Sequence, residues 1–327
     1  MRAVVCEALA GDFSRIVLKD VPVPEPGPGE VRVKVEAASL NFPDLLMLKG
    51  EYQFRPEPPF IVGMDLAGVI DAVGSGASLK LGTRVAGGAK TGAFADFAVC
   101  PAASLYPVPD MMAAPLAAAY PAAYTTAYVS LMIRGQIKPG ETLLVHGASG
   151  GVGMATLDVG RLVGARVIAT TGSAQKVQML KSAGAHEVIV LGPKPGDAFR
   201  EEVKALTGGK GADVIFDPVG GDVFDESTRC IAFNGRLLVI GFTSGRIASV
   251  STNIPLIKGF SVIGVRAGEY GRQFPEEGRK IRDAIWRWAA EGKTHPAVFA
   301  ELPLDGWREA FELMRDRRLV GKVVLRP

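Results

Sequence analysis

Short apolar runs alternate with helical patterns through the middle of the chain. The pattern predicts strands at 142–146, 166–170, 187–191, 213–217 and 236–242, and helices at 151–163, 174–183, 197–206 and 222–232. Regular alternation of strands and helices is typical of a parallel sheet with helices on both faces. We therefore predict a doubly wound α/β domain over residues 123–262.

The first 122 residues follow a different pattern. Short strand-like runs at 3–6, 31–37, 66–73, 83–86 and 95–99 are separated by turns rich in glycine and proline, which predicts a β-rich domain. The tail predicts helices near 276–292 and 305–316 and a closing strand at 322–326. We expect the tail to rejoin the first domain, so that residues 1–122 and 263–327 form one domain and residues 123–262 are inserted in it.

Composition excludes several classes of protein. A net charge of +3 gives little support for binding to nucleic acid or to an anionic membrane. The three cysteines, Cys6, Cys100 and Cys230, are odd in number and far apart, which favours a reducing compartment over a disulfide framework. With no signal peptide pattern and no apolar run of membrane-spanning length, we predict a cytoplasmic protein.

The run Gly147-Ala148-Ser149-Gly150-Gly151-Val152-Gly153 lies between a predicted strand and a predicted helix. This arrangement is typical of dinucleotide-binding domains, in which the pyrophosphate lies at the N-terminus of the helix. We expect Ala148 at the tight turn, Gly150 where the backbone approaches the pyrophosphate, and Gly153 where the helix packs closely on the strand.

The segment after the second strand of this domain predicts the type of dinucleotide. NAD-binding proteins carry an acidic residue there, which binds the ribose 2′-hydroxyl. Here the chain carries Thr171, Ser173 and Lys176 and no carboxylate. A hydroxyl and an ammonium attract a 2′-phosphate, so the segment favours NADPH over NADH. The alternative is that Ser173 caps a helix and Lys176 is a solvated charge.

Several segments carry a family resemblance over almost the whole chain. The glycine run is joined by 26–35 (PGPGEVRVKV), 39–44 (SLNFPD) continuing to 49–52 (KGEY), 62–70 (VGMDLAGVI) and 321–325 (GKVVL). Together they resemble the medium-chain dehydrogenase/reductase superfamily, in its zinc-free NADPH:quinone oxidoreductase branch. The resemblance implies a GroES-like β-rich catalytic domain and a Rossmann domain, with the active site in the cleft between them.

The resemblance also predicts the absence of zinc. Zinc-dependent relatives have Cys where Asn41 stands and Gly-His-Glu where Gly63-Met64-Asp65 stands. A catalytic zinc needs about three protein ligands, and asparagine and methionine are poor ones. Without a Lewis acid, the feasible reaction is hydride transfer from a reduced nicotinamide to an acceptor that is already electron-poor.

The resemblance implies that Asn41, Asp44 and Tyr52 line the substrate cleft, where Tyr52 and Asn41 act as hydrogen-bond donors, and that Arg266 faces the nicotinamide. Four alternatives remain open: Tyr52 as a loop aromatic, Asp44 as a helix cap, Arg266 in an interdomain salt bridge, and Lys322 as a strand-edge charge. Asp65 is expected to be structural. Contacts with the cofactor are expected from Thr126, Ala148, Ser149, Gly150, Gly151, Val152, Gly153, Thr171, Ser173, Lys176, Val219, Gly241, Phe242 and Lys322.

The leading hypothesis is therefore a zinc-independent enzyme that transfers a hydride from NADPH to a quinone or a similar conjugated carbonyl. The alternatives are an NADPH-dependent enoyl-thioester (acyl-CoA) reductase and a non-catalytic, crystallin-like NADPH-binding protein. The expected partners are a small-molecule electron acceptor and a second copy of the chain. A homodimer is expected along an edge strand of the nucleotide domain, with 237–241 and 261–265 as apolar candidates.

Overall fold

The computed structural model describes residues 1–192 and 199–327. Its strands are β1 (Arg2–Cys6), β2 (Ile16–Asp20), β3 (Glu30–Ser39), β4 (Phe60–Ile61), β5 (Asp65–Val73), β6 (Arg84–Gly88), β7 (Phe97–Pro101), β8 (Leu105–Pro107), β9 (Thr142–Val145), β10 (Arg166–Thr171), β11 (Glu187–Val190), β12 (Ala212–Asp217), β13 (Ile231–Val239), β14 (Ser261–Gly264), β15 (Val298–Pro303) and β16 (Lys322–Arg326). Its α-helices are α1 (Phe42–Leu48), α2 (Ala114–Ala119), α3 (Pro121–Tyr128), α4 (Gly151–Leu162), α5 (Val177–Ser182), α6 (Phe199–Leu206), α7 (Gly221–Cys230), α8 (Asn253–Lys258), α9 (Ala267–Gln273), α10 (Pro275–Ala290) and α11 (Trp307–Arg315).

The described chain forms two compact units. The first unit contains Met1–Ala122 and Pro296–Pro327, and the second contains Ala123–His295. The first boundary lies where the change of sequence pattern places it, but the second lies at 295/296 and not at 262/263. The reason is that β14 pairs with β13 as a further parallel strand, and that Ala267 and Ile281 bury their side chains against Val129 of the second unit.

The first unit is built on two sheets. The smaller has the strand order β2-β1-β4, and the larger has the order β15-β16-β3-β5-β6-β8, with β7 paired to β3. Along β3, Val31, Val33 and Val35 are buried while the residues between them are more exposed, as expected for a strand with one face on a core. The C-terminal strand β16 lies between β15 and β3, so the tail completes this sheet.

The second unit contains a six-stranded sheet in the order β11-β10-β9-β12-β13-β14, with all strands parallel. This is the classical order of a Rossmann domain, in which ligands bind at the carboxyl ends of the central strands. Leu144 and Ile168 pack with Phe199 of α6 in one core, whereas Leu143 and Val167 lie against α4 at Gly160. Helices thus cover both faces, and the predicted fold class is confirmed.

Several predicted element bounds differ from the structure. The strand predicted at 236–242 runs from Ile231 to Val239, and the helix predicted at 222–232 ends at Cys230. The helix predicted at 174–183 begins with a 3-10 turn, Ala174–Lys176. Residues 197 and 198 of the helix predicted at 197–206 lie outside the described residues.

The two segments proposed for self-association have different environments. β13, which contains most of 237–241, lies inside the sheet between β12 and β14, so this candidate was wrong. β14 forms the edge of the sheet, and its Val262 is 38% exposed. An unpaired strand edge is a template on which another chain can pair.

All three cysteines are buried free thiols. Among the residues that the structure describes, no helix is both long and apolar enough to cross a bilayer.

Candidate active site

The glycine run forms a tight loop between β9 and α4. The chain turns at Gly147, whose φ is +57°. The tight-turn position therefore falls on Gly147 and not, as predicted, on Ala148, because a positive φ is strained for any residue with a side chain. A Cβ at Gly153 would lie 2.3 Å from Gly147 O and 2.7 Å from Ala148 Cα. Gly153 thus permits the close packing predicted for it, although the contact is with the loop and not with the strand.

The first turn of α4 offers an anion site. Gly150 is its N-cap, and no side chain of the described residues caps this end. The N–H groups of the first turn therefore have no partner within the helix, and they carry the positive end of the helix dipole. Ser149, Gly150, Gly151 and Val152 are all partly exposed. This uncapped, glycine-rich N-terminus fits a dinucleotide pyrophosphate.

The segment that follows β10 gathers hydroxyl and ammonium groups. Thr171 is buried, and its Oγ1 accepts a hydrogen bond of 3.3 Å from the N–H of Ser173. Ser173 is the N-cap of the 3-10 turn, but its hydroxyl makes no capping bond within the described chain, so the capping role was wrong. Lys176 is half-buried, and burial lowers the pKa of its ammonium. The Ser173 hydroxyl thus lacks the capping bond considered for it, and Lys176 is neither fully solvated nor fully buried.

The loops after β12 and β13 meet at the carboxyl edge of the sheet. Asp217 Oδ1 accepts hydrogen bonds from Val219 N at 2.8 Å and Gly220 N at 2.9 Å, which holds the first loop. Burial raises the pKa of the Asp217 carboxyl to about 6, although these two bonds lower it. The second loop contains Gly241 and Phe242, and it is joined to the first by a bond from Thr243 N to Pro218 O. Phe242 leaves 41% of its surface exposed.

Thr126 and Arg266 are the remaining predicted residues of the second unit. Thr126 lies within α3, which continues as a π-helical segment, Val129–Arg134, and its carbonyl accepts a hydrogen bond from Ser130 Oγ. Arg266 is the N-cap of α9, its side chain is 63% exposed, and its guanidinium lies 3.9 Å from Glu269. This contact lies within the second unit, so it is not the interdomain salt bridge considered as an alternative.

His146 lies directly before the glycine run and is fully buried. Its Nδ1 bonds to Thr170 Oγ1 at 3.0 Å and its Nε2 to Ser227 Oγ at 2.9 Å. Burial lowers the pKa of the imidazole to about 3, so the ring is neutral near pH 7. His146 is therefore a neutral crosslink below the loop, joining β9 to β10 and α7.

Four buried polar side chains meet inside the first unit. We call Asn41, Asp44, Asp65 and Lys322 the polar cluster. Strand register brings them together, because Ser39 at the end of β3 lies opposite both Asp65 of β5 and Val324 of β16.

Hydrogen bonds connect the polar cluster through Asn41. Lys322 Nζ donates to Asn41 Oδ1 at 2.5 Å. Asn41 Nδ2 donates to Asp65 Oδ2 at 3.0 Å and to Ser39 O at 3.3 Å. The backbone N–H of Asn41 donates to Asp44 Oδ2 at 2.7 Å, so Asp44 caps α1 as predicted. Asp44 Oδ1 is buried and has no partner among the described groups.

Burial dominates the electrostatics of this cluster. It raises the pKa of the Asp44 carboxyl to about 7, although the Asn41 N–H and the Lys322 charge lower it. Burial also raises the pKa of Asp65 and lowers that of Lys322, and each of these shifts is opposed by the attraction between the two groups. One ammonium and two carboxyl groups thus share a buried site in which the pKa of Asp44 is raised to about 7.

Lys322 and Tyr52 differ in how well the sequence located them. The alternative of Lys322 as a strand-edge charge is wrong, because β16 is an inner strand and its first four residues, Lys322 included, are buried. The apolar run Val323-Val324-Leu325 that follows Lys322 was the available signal that this part of the strand is buried. Tyr52 lies in the loop after α1 and is half-buried.

Within the described ranges, no cluster of His, Cys, Asp and Glu side chains has the makeup of a metal site.

Two family models match the chain, one in each unit. The alcohol dehydrogenase GroES-like domain matches residues 27–110, and the zinc-binding dehydrogenase domain matches residues 151–283. The chain is also 35% identical to quinone oxidoreductase-like protein 2 of Bos taurus, over 97% of this chain and 91% of that protein. The chain belongs to the medium-chain dehydrogenase/reductase superfamily, in its quinone oxidoreductase branch.

Solved structures of this superfamily cover the chain completely. A mycobacterial protein in complex with NADPH is 31% identical, with a TM-score of 0.93 and full coverage of both chains. The quinone oxidoreductase of Escherichia coli, also in complex with NADPH, is 28% identical, with a TM-score of 0.91 and full coverage of both chains.

Proposed function

We propose that this protein transfers a hydride from NADPH to a quinone or a similar conjugated carbonyl, without a metal ion. The chain is an NADPH-dependent oxidoreductase of the medium-chain superfamily, and the acceptor and the metal independence are the proposed parts. The observation that carries the proposal is the hydrogen bond from the Lys322 ammonium to the Asn41 side chain. Asn41 stands where zinc-dependent relatives have a cysteine ligand.

The second unit supplies the cofactor site in this proposal. The uncapped first turn of α4, from Gly151 to Gly153 with Ser149 and Gly150 before it, receives the pyrophosphate. The other parts of NADPH are proposed to contact Ala148, Val152, Val219, Gly241, Phe242 and Thr126. Most of these residues lie at the carboxyl ends of β9, β12 and β13, where ligands of such sheets bind. NADPH supplies the hydride, and the protein binds and orients it.

The proposed preference for NADPH over NADH rests on the segment after β10. The Ser173 hydroxyl is not used for capping, and Lys176 places a cation five residues after Thr171 with no carboxylate between them. Both groups bind a 2′-phosphate more strongly than a 2′-hydroxyl, because charge-assisted hydrogen bonds are the stronger kind.

The polar cluster opposes binding of a zinc ion. Asn41 Oδ1 already accepts the Lys322 ammonium, and a second cation beside it would be repelled. Asp65 accepts a hydrogen bond from Asn41 Nδ2 and is buried. Neither side chain therefore has the free, solvent-facing lone pairs that a catalytic zinc site with an open position uses.

The polar cluster also contains a carboxyl group, Asp44, that can hold a proton at neutral pH. Reduction of a quinone to a hydroquinone consumes one proton with each hydride. Asp44, with a pKa raised to about 7, holds a proton in part of the molecules at neutral pH. Tyr52 and Arg266 are the proposed donors to the developing oxyanion. Asn41 is proposed as a positioning residue, because both of its amide hydrogens are donated to protein acceptors.

A homodimer through β14 is part of the proposal. Exposed apolar side chains accompany this edge strand: Phe233 is 82%, Leu256 81%, Ile257 75% and Val262 38% exposed. Phe233 lies beside Gly259, which joins α8 to the strand. The pairing of two such edges would cover unpaired backbone groups and this apolar surface together. The cytoplasmic location remains a prediction from the sequence.

One assay distinguishes the candidate functions. The loss of NADPH absorbance is followed with 1,2-naphthoquinone, with crotonyl-CoA and without acceptor, using protein treated with EDTA and checked for zinc by elemental analysis. We expect oxidation with the quinone in zinc-free protein. Oxidation with crotonyl-CoA alone would favour the enoyl-thioester alternative, and tight NADPH binding without turnover would favour the non-catalytic one.

A further inference from the structure

A basic cavity lies on the outer surface of the second unit. It has a volume of about 530 Å³ and lies between α6, α7 and the segment 249–258. Its lining residues are distinct from the glycine loop and from the segment after β10, so it is not the cofactor site described above.

Four cations face this cavity from three elements: Arg200 and Lys204 of α6, Arg229 of α7 and Lys258 of α8. Their mutual repulsion affects Lys258, whose pKa is lowered by burial and then by the charges of Lys204, Arg229 and Arg200. The Lys258 ammonium donates to Thr228 O at 2.9 Å, and among the described residues it forms no ion pair. An anion in the cavity would relieve this repulsion.

Nearby carboxylates neutralise only part of this charge. Glu201 and Glu226 lie 2.8 and 3.2 Å from the Arg200 guanidinium. The same two carboxylates reach Lys204 at 4.0 Å and Arg229 at 3.6 Å. A further carboxylate that lines the cavity, Asp225, is paired with Arg246 outside the lining. Counting Asp225, which shares Arg246 with Asp222, three carboxylates face the four cations, which leaves an excess of positive charge.

The remaining lining groups favour a small polar ligand. Ser249 and Ser251 bring hydroxyl groups, and Val250 and Ile254 provide a short apolar wall. Arginine guanidinium groups match the paired oxygens of a phosphate, and lysines act on it as point charges. The convergence of two arginines, two lysines and two serines therefore suits a multiply charged phosphate.

We propose that this cavity binds a small diphosphate-bearing anion, in addition to the cofactor. The ligand chemistry is that of the diphosphate group itself, whether it arrives as inorganic pyrophosphate or as part of a nucleotide diphosphate. The site does not depend on the proposed acceptor, because it lies in a set of residues that the hydride transfer does not use.

Calorimetry on the full chain tests this proposal. Pyrophosphate is titrated at low ionic strength into protein already saturated with NADPH, so that the cofactor site is filled. We expect one saturable site per chain. In the double variant Lys204→Gln/Lys258→Gln, loss of two charges should weaken binding by about tenfold or more.

Matched variants give the test its specificity. Lys210→Gln/Lys293→Gln removes two exposed lysines of the second unit outside the cavity, and it should leave the affinity unchanged. Glu201→Gln removes one carboxylate that pairs with both Arg200 and Lys204, and it should strengthen binding. Thermal melting confirms that each variant is folded.

Two results would overturn the proposal: no saturable binding of pyrophosphate, or equal weakening in the two double variants. ADP then distinguishes the sources, since competition with pyrophosphate for the same site identifies a nucleotide, and failure to compete identifies the inorganic anion. A protein that binds pyrophosphate but reduces no quinone would contradict the proposed function and leave this site supported.

Discussion

Lys322 and Asn41, 281 residues apart along the chain, form a hydrogen bond of 2.5 Å inside the first unit. The bond joins the last strand of the chain to the start of α1, and it places an ammonium next to Asp44 and Asp65. The closing strand therefore supplies the positive charge beside two buried carboxyl groups of the proposed catalytic unit, and it also completes the sheet of that unit.

Replacement of Lys322 tests this arrangement. Lys322→Met leaves two buried carboxyl groups without their counter-charge, and we expect the free energy of unfolding to fall by about 3 kcal/mol. Lys34→Met, an exposed lysine of β3, is the matched control and should change it by less than about 0.5 kcal/mol. Urea unfolding measures both. Adding Asp44→Asn to Lys322→Met should recover part of the loss, and equal effects of the two lysine variants would refute the coupling.

Asp44 should make stability depend on pH. Its folded-state pKa of about 7 lies above the ordinary value of 3.8, so between these values the folded state binds the extra proton. Stability from this group is therefore full below pH 3.8 and is lost as the pH rises towards 7, by at most about 1.4 kcal/mol per pH unit. Asp44→Asn should remove this slope from urea unfolding measured between pH 4.5 and 7.5. His146 and Asp217 are present in both proteins, so their contributions cancel, and identical slopes would contradict the raised pKa.

Tyr52 is expected to act in turnover and not in cofactor binding. Tyr52→Phe removes a phenolic donor while it keeps the ring, and kcat with a quinone should fall by about tenfold or more. The dissociation constant for NADPH, measured by fluorescence, should not change. Tyr106→Phe makes the same chemical change in another half-buried tyrosine of the first unit and should leave kcat unaffected. An unchanged kcat in Tyr52→Phe would assign the residue to packing.

The choice between NADPH and NADH should respond to Ser173 and Lys176. The double variant Ser173→Asp/Lys176→Ala introduces a negative charge and removes a positive one. We expect the ratio of kcat/KM for NADPH to that for NADH to fall by at least about tenfold, which corresponds to 1.4 kcal/mol. Lys181→Ala, an exposed lysine on α5, is the control for loss of charge alone. If the ratio is retained in the double variant, the 2′-phosphate is bound by other residues.

Gly153→Ala tests the packing of the glycine loop. The added Cβ would lie 2.3 Å from Gly147 O, so the helix must shift, at a cost of about 2 kcal/mol. Gly11→Ala, where a Cβ meets nothing within 4 Å, is the matched control. The midpoint temperature of thermal unfolding and the affinity for NADPH should both fall in Gly153→Ala and stay near the original values in the control. Full affinity in Gly153→Ala would mean that the close approach is not needed.

Local patterns were sufficient for the second unit. Its parallel strands are apolar and evenly spaced, and its glycine loop has fixed positions between them, so the alternation identified the fold without long-range information. The boundary at 295 was missed because α9 and α10 have an ordinary amphipathic pattern that does not show which unit they pack against. Likewise, nothing local distinguishes β13 as an inner strand from β14 as an edge strand, since this follows from the order of the sheet.

Only part of the polar cluster could be predicted from the sequence. Asn41 and Asp44 lie within one motif, and Asp44 was identified as the cap of α1. Lys322 was assigned to the cofactor or to a strand edge because its distance from Asn41 along the chain hides their pairing. Only the register of β3 with β5 and β16 brings these residues together.

The thiols of this protein have a consequence for its proposed chemistry. Quinones are electrophiles that arylate cysteine thiolates. Burial raises the pKa of Cys6, and it raises those of Cys100 and Cys230 to about 12. At neutral pH each sulfur is therefore protonated as well as shielded from solvent, and we expect none of the three thiols to react with an acceptor of the proposed kind.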